Sequence, residues 1–257
     1  MEQIRPQSSS HNALTYALRS VALGPRDTWS HNTLGIAINQ YSAVLAIAAL
    51  RESARLDPLY LYPPLNEAEA LSSMGRAGEA LQPVEGVLRL EPDMPWAIAL
   101  KASIFIDLGR TQEAEVVAKQ VDALLAQGRL HSEHRYILDG LNLDSGASLH
   151  ELAMWARNPN PMVEYLGVHK WLMQHGHAQD VIEILDRRTR KGAIPYDYLR
   201  LAPWLASLQN DPRFQSVLKR ARGQFEEMLS VLDEARARGE FPQYLETPLA
   251  EMRRQLQ

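Results

Sequence analysis

Apolar residues recur along this chain at the three- and four-residue spacing of a single helix face, and Gly, Pro and Asp cut the pattern into blocks. Residues 12–24 carry one such face and stop at Gly24-Pro25, where Gly tolerates left-handed backbone angles and Pro cannot continue a helix. A second block, 28–40, contains Leu34-Gly35, the place where a missing side chain lets two helices approach closely. A third, 42–56, holds the unbroken run Ala-Val-Leu-Ala-Ile-Ala-Ala-Leu at 43–50, and a helix that is apolar all round is one packed on both sides. The spacing predicts helices throughout and no strand.

The stretch 61–126 reads as one helix-turn-helix unit written twice at a period of 34. Gly75-Arg76-Ala77-Gly78-Glu79-Ala80 is answered by Gly109-Arg110-Thr111-Gln112-Glu113-Ala114, and Glu91-Pro92 steps back to Asp57-Pro58. Self-similarity of this length is the sign of a solenoid, whose units bury their apolar faces only against their neighbours. Pro25, Pro58 and Pro92 are 33 and 34 apart, so the helix at 12–24 stands where the second helix of a unit belongs. The start therefore reads as half a repeat, expected either of a fragment of something longer or of a lone capping helix.

These residues resemble the tetratricopeptide repeat. With position 1 at Leu61, that pattern's small residue, Gly, Ala, apolar places and terminal Pro fall on Ala68, Gly75, Ala80, Val84, Val87 and Pro92; from Pro95 they fall on Ala102, Gly109, Ala114, Ala118 and Val121, with Ala126 replacing the Pro. The family's Trp at position 4 is absent, since Pro64 and Ile98 stand there. The resemblance implies an all-α, right-handed superhelical solenoid of antiparallel helix pairs, with a repeat-like part at 12–126.

Beyond residue 126 the pattern weakens. Helices at 131–143 and 147–157 around an Asp144-Ser145-Gly146 turn would make a degenerate unit, and Asn158-Pro159-Asn160-Pro161 breaks the chain before another. Leu172, Gly176, Val181 and Leu185 suit a unit starting at Met162, so 127–210 is expected to hold degenerate repeats. Asp211-Pro212 fixes a helix start through an N-cap and a first-turn proline. Helices from 212 to about 238 and near 248–255 are expected to cap the array, while residues 1–11 are polar and expected to be poorly ordered. Trp204 to Phe214 is similar to the closing segment of repeat arrays in bacterial winged-helix regulators and adenylate-cyclase-like signalling proteins.

Composition narrows the function classes. The 27 basic and 31 acidic residues leave a net charge of −4, which gives no reason to expect nucleic acid or anionic lipid as a partner. No cysteine is present, so thiolate chemistry is excluded. The longest apolar run, at 43–50, is far short of the roughly 20 residues a spanning helix requires, so no membrane partner is expected. The cytoplasm is the expected compartment, or the periplasm for a part of a membrane-anchored regulator.

Candidate chemistry is sparse. The pairs His131/His134 and His175/His177 lack the further ligands of a zinc site, so no metal is expected. Gly75-Arg76-Ala77-Gly78 follows a helix and lacks the Lys-Ser or Lys-Thr of a phosphate loop, and no Gly-x-Ser-x-Gly elbow exists. The carboxylates Glu67, Glu69, Glu226 and Glu227 lie on predicted helices, where acidic residues form the wet face. Arg187 to Lys191 complements the carbonyl end of a helix, with contact to an acidic peptide or a phosphate as the alternative. Neither an enzyme nor a bound cofactor is expected.

The resemblance implies that the first helix of each unit lines a concave groove with positions 2, 5, 9, 12 and 13. These are Tyr62, Leu65, Glu69, Ser72 and Ser73; Trp96, Ala99, Ser103, Ile106 and Asp107; Val163, Leu166, Lys170, Met173 and Gln174; and, with Leu34-Gly35 setting the register, Trp29, Asn32, Ile36, Asn39 and Gln40. Trp29, Tyr62 and Trp96 are the expected anchors, with core packing as their competing role. The expected function is a non-enzymatic scaffold that holds a peptide or helix of another protein in this groove. The alternative is a regulatory or ligand-sensing module detached from a bacterial signalling protein or transcription regulator. Self-association through the exposed face of 12–24, giving a homo-oligomer, is a third expectation.

Overall fold

The computed structural model describes residues 9–130 and 166–256, and no strand occurs among them. The expected helices at 131–143 and 147–157, His131, His134, Val163 and most of the N-terminal 1–11 lie outside the described residues. The first part of the chain is a run of seven helices: α1 (Ser9–Leu23), α2 (Thr28–Asn39), α3 (Ala43–Leu56), α4 (Tyr62–Ser73), α5 (Ala77–Leu90), α6 (Pro95–Asp107) and α7 (Thr111–Ala126). The second comprises α8 (Leu166–Gln174), α9 (Ala178–Lys191), α10 (Tyr196–Leu201), a 3-10 turn (Pro203–Leu208), α11 (Pro212–Ala237), a second 3-10 turn (Gln243–Leu245) and α12 (Glu246–Leu256).

Local chemistry sets the helix ends. The Asp27 carboxylate accepts from Ser30 N–H at 3.0 Å at the start of α2, and Asp211 accepts from Arg213 N–H at 2.8 Å at the start of α11. Between paired helices the same turn recurs. Gly75, Gly109 and Gly176 all have positive φ, and the residue after each donates back to Leu71, Phe105 and Leu172 respectively, at 2.9 Å each time. The next step of the pattern is shared too: Arg76 pairs with Glu79, Arg110 with Glu113, and His177 Nδ1 lies 2.9 Å from Asp180. The α8–α9 hairpin thus repeats the local design of α4–α5 and α6–α7, with His and Asp in place of Arg and Glu.

Each of α1 to α7 packs on the next, and α2, α4 and α6 also touch in succession, forming one layer of first helices. This is an all-α, repeat-like stack of helix pairs. At Gly35 a β-carbon would stand 2.7 Å from the Leu50 side chain, so the close approach of α2 to α3 requires glycine there. Leu65, Ala68 and Leu71 of α4 form a core with α3, α5 and α6, and a smaller core joins α6 to α7.

The second part of the chain packs back onto the first helices. Phe214, Val217, Ala221 and Phe225 of α11 share one core with Leu14 and Leu18 of α1, Leu34 of α2 and Leu45 of α3. The α12 helix and the turn before it rest on α3, while α8 reaches α4. Both helices expected at the C-terminal end therefore exist, and the surface they cover is that of the first helices of the chain. Asp197 anchors this return: its carboxylate accepts from Ser42 Oγ at 2.8 Å, Ala43 N–H at 2.9 Å and Val44 N–H at 2.8 Å, capping α3 from 154 residues away.

Candidate binding face

Four aromatic rings line up where the first helices begin. Trp29 stacks on Tyr60 with ring centroids 5.4 Å apart, Tyr60 meets Tyr62 at 5.8 Å, and Tyr62 meets Trp96 at 6.2 Å. Trp29 stands in the first turn of α2, and Tyr62 and Trp96 stand in the first turns of α4 and α6. Equivalent places in adjacent pairs thus carry rings within contact distance of one another. Trp29 is 63% and Tyr62 50% exposed, whereas Tyr60 and Trp96 are partly buried. The row offers apolar faces to solvent yet is rooted in the helix pairs.

Behind the rings lies a polar rung. Asn66 Nδ2 donates to Asn32 Oδ1 at 3.1 Å, and Asn32 Nδ2 donates to Tyr60 Oη at 3.3 Å. Asn32 is buried, so its amide orients Tyr60 and is not open to a ligand. Asn66 and Tyr60 were not among the sequence candidates. Asn66 had a signal, since it follows Asn32 by one period of 34; Tyr60 had none, because it sits in a connection that the repeat pattern leaves free.

The other end of the face is closed by an ion pair. Asp107 accepts from Ser72 Oγ at 3.0 Å and pairs with Lys170 of α8, and both charged side chains are largely buried. The Lys170 ammonium also lies 5.4 Å from the centroid of the Trp204 ring, over which it makes a cation–π contact. Trp204 Nε1 donates to Tyr198 Oη at 3.4 Å, which lies 3.1 Å from His169 Nδ1. Tyr198 Oη, besides accepting from Trp204, shares a hydrogen bond with His169 Nδ1, which leaves Nε2 as the ring's other nitrogen. That Nε2 is buried without a partner, and burial, with the nearby Arg188 charge adding to it, depresses the imidazole to about 3. His169 is therefore a neutral core residue at any ordinary pH.

Glu69 stands between the two ends. On a helix, Tyr62, Asn66, Glu69 and Ser73 fall within one narrow stripe, because offsets of four, seven and eleven residues return to the same side. Glu69 is partly buried and has no ion pair or hydrogen bond, and burial alone pushes its carboxyl up to about 7. Of the remaining sequence candidates, Leu65 is fully buried in the core, Ser103 and Asn39 are partly buried, and Gln174 is exposed. Asn39 Oδ1 is buried without a partner.

Among the described residues no group of His, Asp and Glu has the clustering of a metal site, and no helix is long and apolar enough to cross a membrane. Scanned against protein-family models and against curated proteins, the chain matches none.

Proposed function

We propose that this chain is a non-enzymatic, tetratricopeptide-like array of right-handed superhelical sense that binds a polypeptide segment of another protein along the α2–α4–α6 face. The aromatic row Trp29–Tyr60–Tyr62–Trp96 carries this reading. Rings with few rotatable bonds supply contact area at little entropic cost, and contiguous exposed apolar surface on a folded protein is the usual mark of an interaction site. The polar rung of Asn32 and Asn66 supports it further, since it holds Tyr60 in place before any partner arrives.

The test is selection of peptides from a random display library on the full chain, followed by calorimetry of the enriched sequences with wild type and with a Trp29→Ala/Tyr62→Ala double variant. Loss of binding by a variant whose helical circular dichroism is unchanged is the expected result. Equal binding by the double variant, or a library from which nothing is enriched, would overturn the proposal.

A further inference from the structure

We infer that Glu69 is the seat of a basic side chain, so that the polypeptide taken up on this face presents a lysine or arginine to the middle of α4 while its apolar neighbours lie on the aromatic row. This rests on the reading of the α2–α4–α6 face as a peptide-binding surface and adds the chemistry of its central position.

Among the described residues, the cations on the helices packed against α4, Arg89 of α5 apart, are already engaged: Arg51 of α3 with Glu67, Arg55 of α3 with Glu52, Lys101 of α6 with Glu85 of α5, and Lys170 of α8 with Asp107 of α6. Arg76, just before α5, holds Glu79. Of the histidines on these helices, His31 is bound by Tyr244 and Pro25, and His169 by Tyr198. Arg89 belongs to the last turn of α5, whereas Glu69 belongs to the middle of α4. Glu67, two residues away on the same helix, has found its arginine at 2.6 Å; Glu69 has found nothing.

A carboxylate withdrawn from water without a partner is costly, and none of the described cations pairs with it. The geometry around it suits one arriving from outside. Tyr62 stands two helical turns toward the amino end of the same stripe, about 10 Å along the axis, a distance that a lysine or arginine stem and one neighbouring residue of an extended peptide can bridge. Ring faces attract cations, and the row from Trp29 to Trp96 would meet the aliphatic stem as well. An acidic peptide would meet the unpaired Glu69 and the already neutralised Asp107, and among the described residues the lysines of α2, α4, α6 and α8 are both already paired.

Three blocked pentapeptides, Ac-Leu-Pro-X-Pro-Leu-amide with X as lysine, arginine or norleucine, titrated into the full-length chain while the indole N–H signals of Trp29 and Trp96 are followed by NMR, test the inference. The expected result is that the two basic peptides bind about tenfold more tightly than the norleucine peptide, as a charge–charge contact of ordinary strength requires. Their advantage should vanish in Glu69→Gln, and should shrink as pH falls from 8 to 5.5, while norleucine binding stays constant. If all three bind wild type equally, or the basic peptides keep their advantage in Glu69→Gln, the cation seat is overturned and the aromatic face stands. If none perturbs either indole, both readings fall.

Discussion

Gly75 backs directly onto Pro203: a β-carbon at position 75 would lie 2.7 Å from Pro203 Cδ and 2.8 Å from its Cγ. The turn that joins α4 to α5 is thus also the seat on which the later 3-10 segment rests. Gly109 makes the equivalent turn between α6 and α7, at φ +68 against +77, yet has open space where its β-carbon would be. The two glycines share the backbone requirement and differ only in the contact. Gly109→Ala is expected to cost about 1 kcal/mol from backbone strain, and Gly75→Ala about 2–4 kcal/mol from strain plus overpacking. Urea denaturation midpoints measure both, and equal losses would mean that Pro203 does not sit on this turn in solution.

The second joint between the two parts of the chain is Asp197. Removing its carboxylate leaves the Ser42 hydroxyl and two backbone N–H groups at the buried start of α3 without their acceptor. Asp197→Ala should cost about 2–4 kcal/mol, and Asp197→Asn, which keeps one acceptor oxygen, less than that. Hydrogen exchange at Ala43 and Val44 should accelerate in the alanine variant; unchanged protection there would show that the cap does not hold the helix.

Much of the local architecture is legible in the sequence. Leu34-Gly35 marked the close approach of α2 to α3, and the Gly-Arg-x-x-Glu period marked two of the interhelical turns, because both are properties of neighbouring residues. What periodicity could not carry was the return of α8 to α12 onto the first helices. Asp197 looks like a surface acid in Pro-Tyr-Asp-Tyr, and nothing local announces a partner 154 residues earlier. The binding face was legible in outline and displaced in detail. Leu65 is three residues from Tyr62, a rotation of about 300°, which carries it off the stripe of Tyr62, Asn66 and Glu69 and into line with Ala68 and Leu71 in the core. Asn66, one residue on, returns to the stripe. Trp204 belongs to the stretch whose sequence resembles a closing segment, and its place against Lys170 depends on the same return of the chain.

The aromatic row separates binding from folding in a way that mutation can detect. Trp29 is 63% and Tyr62 50% exposed, so truncating either removes little buried surface. Trp29→Ala and Tyr62→Ala are each expected to change stability by about 1 kcal/mol or less. Trp96 packs on the core of α3 to α6, and Trp96→Ala should cost about 2–4 kcal/mol for the void it leaves. Chemical denaturation of the three variants checks the ranking; a large loss at Trp29 would make that ring part of the core.

Glu69 makes stability depend on pH in an unusual direction. Its carboxyl is pushed from the ordinary 4.5 up to about 7 by burial, so between those values the folded chain holds a proton that the unfolded chain has released. The folded state is favoured wherever it binds the extra proton; that stability is fully present below about 4.5 and is lost as pH rises toward 7. Above 7 both states are ionised and the penalty is constant. The shift corresponds to about 3 kcal/mol, and to on the order of 2 kcal/mol once the partial exposure of the side chain is allowed for. Glu69→Gln, which cannot ionise, should therefore match wild type at pH 4 and exceed it by roughly 2 kcal/mol at pH 8, about 4–8 °C in melting temperature. Paired melts at the two pH values decide it. A basic peptide bound at Glu69 should narrow the difference from the other side, because at pH 8 it stabilises the ionised wild type more than it stabilises Glu69→Gln, which it reaches through the aromatic row alone.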